Sequence, residues 1–193
     1  FDGSIFYSSK TGEVAGFTDS HIEDGVNYWD ADLDKLHRSL RVSLPKNDYD
    51  IDILSTTKDQ QKYILYVSSA KSSGSYLLGD RTKNQLSAIA DAYPQIDETA
   101  YGGKERISYK ARDGLTIEGY LTLPVGYKKG DKLPTIIFPH GGPMARDYAN
   151  FDYWTALLAY HGYAVLQPNF RGSSGYGYEF LMQSIQGFGL AMQ

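Results

Sequence analysis

The chain has 193 residues, a formal net charge of -4 at pH 7, 22% charged residues and no cysteine. Acids and bases are interspersed, so no basic stripe marks a nucleic-acid or membrane-surface partner. The missing cysteines exclude disulfides, thiolate nucleophiles and zinc–thiolate sites, and leave the compartment open.

No run approaches the roughly 18 apolar residues of a spanning helix, and Phe1-Asp2-Gly3-Ser4 lacks the charged and apolar regions of a signal peptide. The chain starts mid-pattern, which fits a piece of a longer protein. A β-hairpin is predicted first, with Ile5-Phe6-Tyr7 and Val14-Ala15-Gly16-Phe17 flanking the turn Lys10-Thr11-Gly12-Glu13. Leu33, Leu36, Leu40 and Leu44 then recur at helical spacing behind a capping Asp30, which predicts an amphipathic helix ending at Pro45. Four strands are expected next, at Asp50–Ser55, Tyr63–Ser68, Tyr76–Leu78 and Gln85–Ile89. Their separators are Lys58-Asp59-Gln60-Gln61, Lys71-Ser72-Ser73-Gly74 and Asp80-Arg81-Thr82-Lys83. Evenly spaced short strands with polar turns fit a sandwich, a barrel or one four-stranded blade of a propeller. A single blade cannot bury both faces, so a propeller here implies further blades outside these residues. Ala90 to Glu105 keeps no period and holds Pro94 and Gly102-Gly103, the marks of a domain boundary.

The second half changes class. Strands at Arg106–Ala111 and Leu115–Leu123 surround Arg112-Asp113-Gly114, a strong hairpin turn signal. Pro134 to Pro139 reads as a fully buried strand that stops at His140-Gly141-Gly142-Pro143. A helix follows from about Phe151 to His161, with Trp154, Leu157 and Leu158 on one face and Gly162 closing it. Tyr163–Pro168 is a second short strand, so the three elements form a right-handed βαβ unit. Ligands in open α/β sheets bind beyond the carboxyl ends of such strands. Both strands end there in glycine-rich loops, the second being Asn169-Phe170-Arg171-Gly172-Ser173-Ser174-Gly175-Tyr176-Gly177. Two backbone N–H groups aimed at one point stabilise developing negative charge, and glycines allow that approach. His140-Gly141-Gly142-Pro143 is a near variant of the HGGG-type loop of α/β-hydrolases; read without chemistry, it is a glycine-rich strand-to-helix turn.

The Pro-His-Gly-Gly-Pro loop, the Asn-Phe-Arg-Gly-Ser-Ser-Gly-Tyr-Gly loop and the hairpin Lys-Ala-Arg-Asp-Gly-Leu-Thr-Ile-Glu-Gly-Tyr-Leu-Thr-Leu-Pro together resemble the prolyl oligopeptidase family of serine peptidases. His-Gly-Gly-Pro is similar to its acylaminoacyl-peptidase and dipeptidyl-aminopeptidase branches. The resemblance implies an α/β fold: residues 1–95 as the C-terminal portion of a β-propeller, 96–105 as linker and 106–193 as the N-terminal portion of an α/β-hydrolase domain. It implies a peptide substrate and no cofactor. It also implies that the Gly142 N–H is one oxyanion donor, with Gly141 shaping the loop, and that Arg171 and His140 lie beside the substrate. The family's Gly-x-Ser-x-Gly is absent, so its serine, acid and histidine are expected beyond Gln193, and these residues alone are expected to be inactive. The nearest approach, Gly172-Ser173-Ser174-Gly175-Tyr176, has tyrosine in place of the last glycine.

The remaining polar residues have simpler readings. His140 precedes the place a triad histidine takes in this fold, so its expected task is to hydrogen-bond and hold the loop. His161 suits a helix C-terminus, while His21 and His37 are expected to face solvent. Asp48, Asp50 and Asp52 alternate along a strand without a calcium-loop glycine or glutamate, and no His or Cys spacing indicates a metal. Gly172, Gly175 and Gly177 lack the spacing and position of a dinucleotide fingerprint. Two other functions compete with the peptidase: a non-catalytic interaction module on a degenerate hydrolase scaffold, and an esterase.

Overall fold

The computed structural model describes residues 3–19, 25–44, 49–100, 102–142 and 144–192. The chain divides into two compact units, Phe1–Ser69 with Ser73–Ile96, and Ala70–Ser72 with Asp97–Gln193.

The first unit opens on a three-stranded antiparallel sheet of β1 (Ile5–Tyr7), β2 (Val14–Thr18) and β3 (Val26–Tyr28). The hairpin is the one the alternation predicts. β3 is an addition, and three residues are too few for periodicity to reveal it. Helix α1 (Ala31–Ser43) starts where Asp30 accepts the N–H groups of Asp32 at 2.9 Å and Leu33 at 3.2 Å, as an N-cap must. The expected stop at Pro45 lies outside the described residues. Leu33, Leu36 and Leu40 are buried, each contributing about 1.5–3 kcal/mol of apolar transfer. His37, expected in solvent, is also buried, with its ring 5.3 Å from that of Tyr28. It lies between Leu36 and Leu40 on the helical stripe, and Tyr28 on β3 supplies the cover that the pattern could not reveal. His21 lies outside the described residues.

Strands β4 (Asp50–Thr56), β5 (Lys62–Ser69), β6 (Ser72–Asp80) and β7 (Gln85–Asp91) form a second antiparallel sheet in chain order. Leu36 and Leu40 of α1 pack with Ile51, Tyr63, Leu65 and Val67 of β4 and β5 as one core. The stretch Lys71-Ser72-Ser73-Gly74 is not a loop: the chain turns at Ala70-Lys71 and β6 begins at Ser72. The Tyr66 hydroxyl donates to the Ser73 carbonyl at 3.0 Å, a tertiary bond that keeps these small residues in the strand.

In the second unit a single 3-10 turn, Glu98–Ala100, leads into β8 (Lys104–Lys110) and β9 (Thr116–Thr122), joined at Arg112-Asp113-Gly114. β10 (Thr135–Ile137), α2 (Tyr153–Tyr160) and β11 (Ala164–Asn169) make the expected βαβ unit, with β10 and β11 parallel. The strand order is β10-β11-β9-β8, mixed parallel and antiparallel, and α3 (Tyr178–Gly187) closes the described elements. Two expectations change. Among the described elements β10 lies at the sheet edge and pairs with β11 alone, and Ile137 is 58% exposed instead of buried. On α2 the buried residues are Thr155, Ala156 and Ala159, whereas Trp154 and Leu157 are about half exposed. Small side chains let this helix lie close against β11, whose Val165 is fully covered.

Candidate active site

β10 and β11 run side by side in the same direction, so the loops that leave their carboxyl ends emerge together. Phe138 extends the pairing with an N–H bond of 2.8 Å to the Leu166 carbonyl, and the chain then departs at His140. Gly142 has φ +135°, and a Cβ on it would lie 3.0 Å from the Met144 nitrogen. Any other residue there would be strained by backbone and neighbour together. Gly141 and Gly142 are exposed, and no heavy atom would lie within 4 Å of a Cβ at Gly141. Outside its own loop, packing therefore does not hold this segment.

What holds it is the loop after β11. The His140 ring stacks on Phe170, with centroids 4.5 Å apart and planes 15° from parallel. His140 Nε2 lies 2.8 Å from Ser173 Oγ, and Nδ1 lies 3.0 Å from the Gly141 carbonyl. Ser173 is fully buried and its hydroxyl donates to the Phe170 carbonyl at 2.6 Å. A carbonyl only accepts, so the Gly141 contact takes an Nδ1–H, and the direction of the Nε2–Ser173 bond follows the protonation of the imidazole. The Ser174 N–H reaches the Ala145 carbonyl at 2.9 Å. Asn169, also fully buried, accepts the Asp147 N–H at 2.8 Å and returns a bond to the Asp147 carbonyl at 3.1 Å. Its amide reaches the Tyr176 hydroxyl as well, at 2.8 Å. The turn of the second loop depends on Gly172: at φ +96°, a Cβ would meet Ser184 Cβ of α3 at 2.5 Å.

No protein-family model matches the chain. It is 29% identical over 188 residues to dipeptidyl aminopeptidase BIII of Pseudoxanthomonas mexicana, an alignment covering 92% of this chain and 26% of that protein. A solved acylaminoacyl peptidase in complex with Z-Gly-Gly-Phe-chloromethyl ketone superposes with a TM-score of 0.54 at 23% identity, over 93% of this chain and 25% of that one. A post-proline cleaving enzyme from Rickettsia typhi gives 0.55 at 20% identity, over 73% and 20% of the two chains. The chain is similar to peptidases of the prolyl oligopeptidase family. It spans about a quarter of the length of the first curated relative, and at these identities the solved structures show the α/β fold alone.

Of the residues that prolyl oligopeptidase resemblance singled out, His140, Gly141 and Gly142 share one loop, and Arg171 sits on the other. The Arg171 guanidinium donates to Asp113 at 2.6 Å, in the β8–β9 turn. That bond and its charge hold the Asp113 carboxyl down at about 2. Four polar residues that sequence reasoning missed lie behind the loops. Gln167, almost fully buried on β11, donates to Asp147 at 3.0 Å and to Asp152 at 3.1 Å. The Lys104 side chain, 1% exposed, approaches Asp152 at 3.9 Å. Burial lowers the Lys104 pKa against the pull of both carboxylates, and burial raises that of Asp147. Nothing in the local pattern announces this cluster, because its members come from β8, β11 and the segment between β10 and α2. Among the described residues, no group of three or more His, Asp or Glu side chains is arranged to hold a metal ion. No helix among them is long and apolar enough to cross a membrane.

Proposed function

We propose that this chain is part of a serine-type peptidase that hydrolyses peptide bonds of short peptides through an acyl-enzyme, with the Gly142 N–H as one donor to the oxyanion. The observation that carries the reading is the exposed Gly141-Gly142 segment at the carboxyl end of β10, anchored at both ends and open between them. A donor fixed before reaction stabilises the tetrahedral intermediate without reorganisation, which is worth about 100- to 1,000-fold in kcat. In this scheme Arg171 and His140 border the bound peptide. Residues 106–193 form the N-terminal portion of the hydrolase domain, 96–105 the linker, and 1–95 the C-terminal portion of a β-propeller that restricts access to small substrates. The four-stranded meander of β4 to β7 supports a blade. No cofactor, metal, nucleic acid or membrane takes part.

The sequence contains no Gly-x-Ser-x-Gly, so nucleophile, acid and base are assigned beyond Gln193, and the 193 residues alone are inactive. A fluorophosphonate probe applied to this chain and to the full-length natural protein, with mass spectrometry of the adduct, tests the assignment. Labelling only of the longer protein, at a serine outside these residues, is the expected result. An adduct on Ser173 or Ser174 would place the nucleophile inside the chain, and labelling of neither protein would favour a scaffold without chemistry.

A further inference from the structure

Ser173 is a fully buried serine within hydrogen-bond distance of an imidazole, yet its geometry is wrong for attack. Its hydroxyl is already engaged by the Phe170 carbonyl, and no substrate reaches a side chain with no exposed surface. The pair faces the glycine segment instead. We propose that Ser173 is a positioning residue for the oxyanion loop. Through the His140 imidazole it fixes the start of the Gly141-Gly142 segment, while Asn169 fixes its far side at Asp147.

Three features of the structure support this. A Cβ at Gly141 would have no heavy atom within 4 Å and one at Gly142 would meet only Met144 and Ala145 of the same loop, so the segment's orientation follows from its anchors. His140 is constrained in two directions, in plane by Ser173 Oγ at 2.8 Å and face-on by Phe170 at 4.5 Å between centroids. Ser173 is itself immobilised, by its N–H to the Phe170 carbonyl at 3.0 Å, its hydroxyl to the same oxygen and the close approach of α3 at Gly172. Removing the Ser173 hydroxyl leaves the ring stack but frees rotation and sliding of the imidazole, and with it the direction of the Gly142 N–H.

The proposal rests on the oxyanion reading of Gly142, and the test separates the two. In the full-length enzyme, Ser173→Ala is compared with His140→Phe, which keeps the stack, leaves buried Ser173 untouched and removes the nitrogen. Each should lower kcat on an aminoacyl p-nitroanilide about tenfold with KM within twofold, and weaken a peptide boronate inhibitor by a similar factor. The double variant should lose no more than either single one. Fluorophosphonate labelling should slow but persist at the same serine, which a nucleophilic Ser173 would forbid. A crystal structure of each variant should show the 140–142 segment displaced. An unmoved loop with unchanged kcat in both variants overturns the proposal. A displaced loop with unchanged kcat keeps the clamp and removes Gly142 from the reaction, so the proposed function fails in its place.

Discussion

Arg171 and Asp113 show how one contact can be legible at one end only. Asp113-Gly114 announces a turn by its chemistry, and Arg171 stands out in a glycine-rich loop, but nothing in either neighbourhood says that the two meet at 2.6 Å. The pairing is a product of β9 lying beside β11. Its consequence can be measured. The ordinary Asp113 value of 3.8 falls to about 2 in the folded state, so the pair contributes stability above pH 3.8 that is lost as pH falls through about 2. Carbon-13 NMR of the Asp113 carboxyl should titrate with a midpoint near 2, and Arg171→Gln should return it toward the ordinary value. A midpoint near 3.8 in the unmodified protein would show that the ion pair does not persist in solution. Gly141 and Gly142 are the opposite case, readable in advance because only glycine meets both the backbone and the access that such a segment needs.

Elements were legible in proportion to their boundary signals. α1 has an Asp cap and four leucines at helical spacing, and it forms as the pattern says. α3 was invisible because it starts at Gly177, whose φ is +92° and which offers no side-chain cap. α2 shows a subtler failure: the face shared by Trp154, Leu157 and Leu158 is not the buried one, because close approach to β11 selects Thr155, Ala156 and Ala159. Asp152 ties this helix to the strands behind it. It caps α2 through the N–H groups of Trp154 at 2.8 Å and Thr155 at 3.3 Å, accepts Gln167, and is the nearest carboxylate to buried Lys104. Asp152→Ala loses about 1 kcal/mol of cap and strands much of a buried charge, so urea unfolding should show a total loss of about 3 kcal/mol. Asp152→Asn keeps the capping oxygen, and its loss should be smaller than that of the alanine variant. Equal losses would mean that the charge on Asp152 contributes nothing.

For the molecule as a whole, the surface carries more apolar area than a self-sufficient fold needs. Ile137 on β10 and Trp154, Leu157 and Tyr160 on α2 are 48–66% exposed, and β10 has a free strand edge among the described elements. Open edges and exposed aromatic residues promote association. The purified 193-residue chain should therefore bind a hydrophobic dye, self-associate as its concentration rises, and unfold with low cooperativity. A sharp, concentration-independent thermal transition of a monomer would contradict this. The class change from antiparallel sheet to βαβ was readable because periodicity and turn chemistry are local. The partly buried cluster of Lys104, Asp147, Asp152 and Gln167 was not, since it exists only after distant strands have paired.

The strand order β10-β11-β9-β8 also bears on synthesis. β8 and β9 join across a short turn, and such hairpins close in about 1–10 microseconds. β10 cannot follow at once, because β11 is the neighbour it pairs with and that strand is translated later. Between the emergence of Ile136-Ile137 and that of Ala164–Asn169, the nascent chain carries an unpaired apolar strand beside a finished hairpin. β11 then engages two partners in a single step, parallel on one side and antiparallel on the other. The interval before that step is when this segment exposes the most apolar strand surface to association.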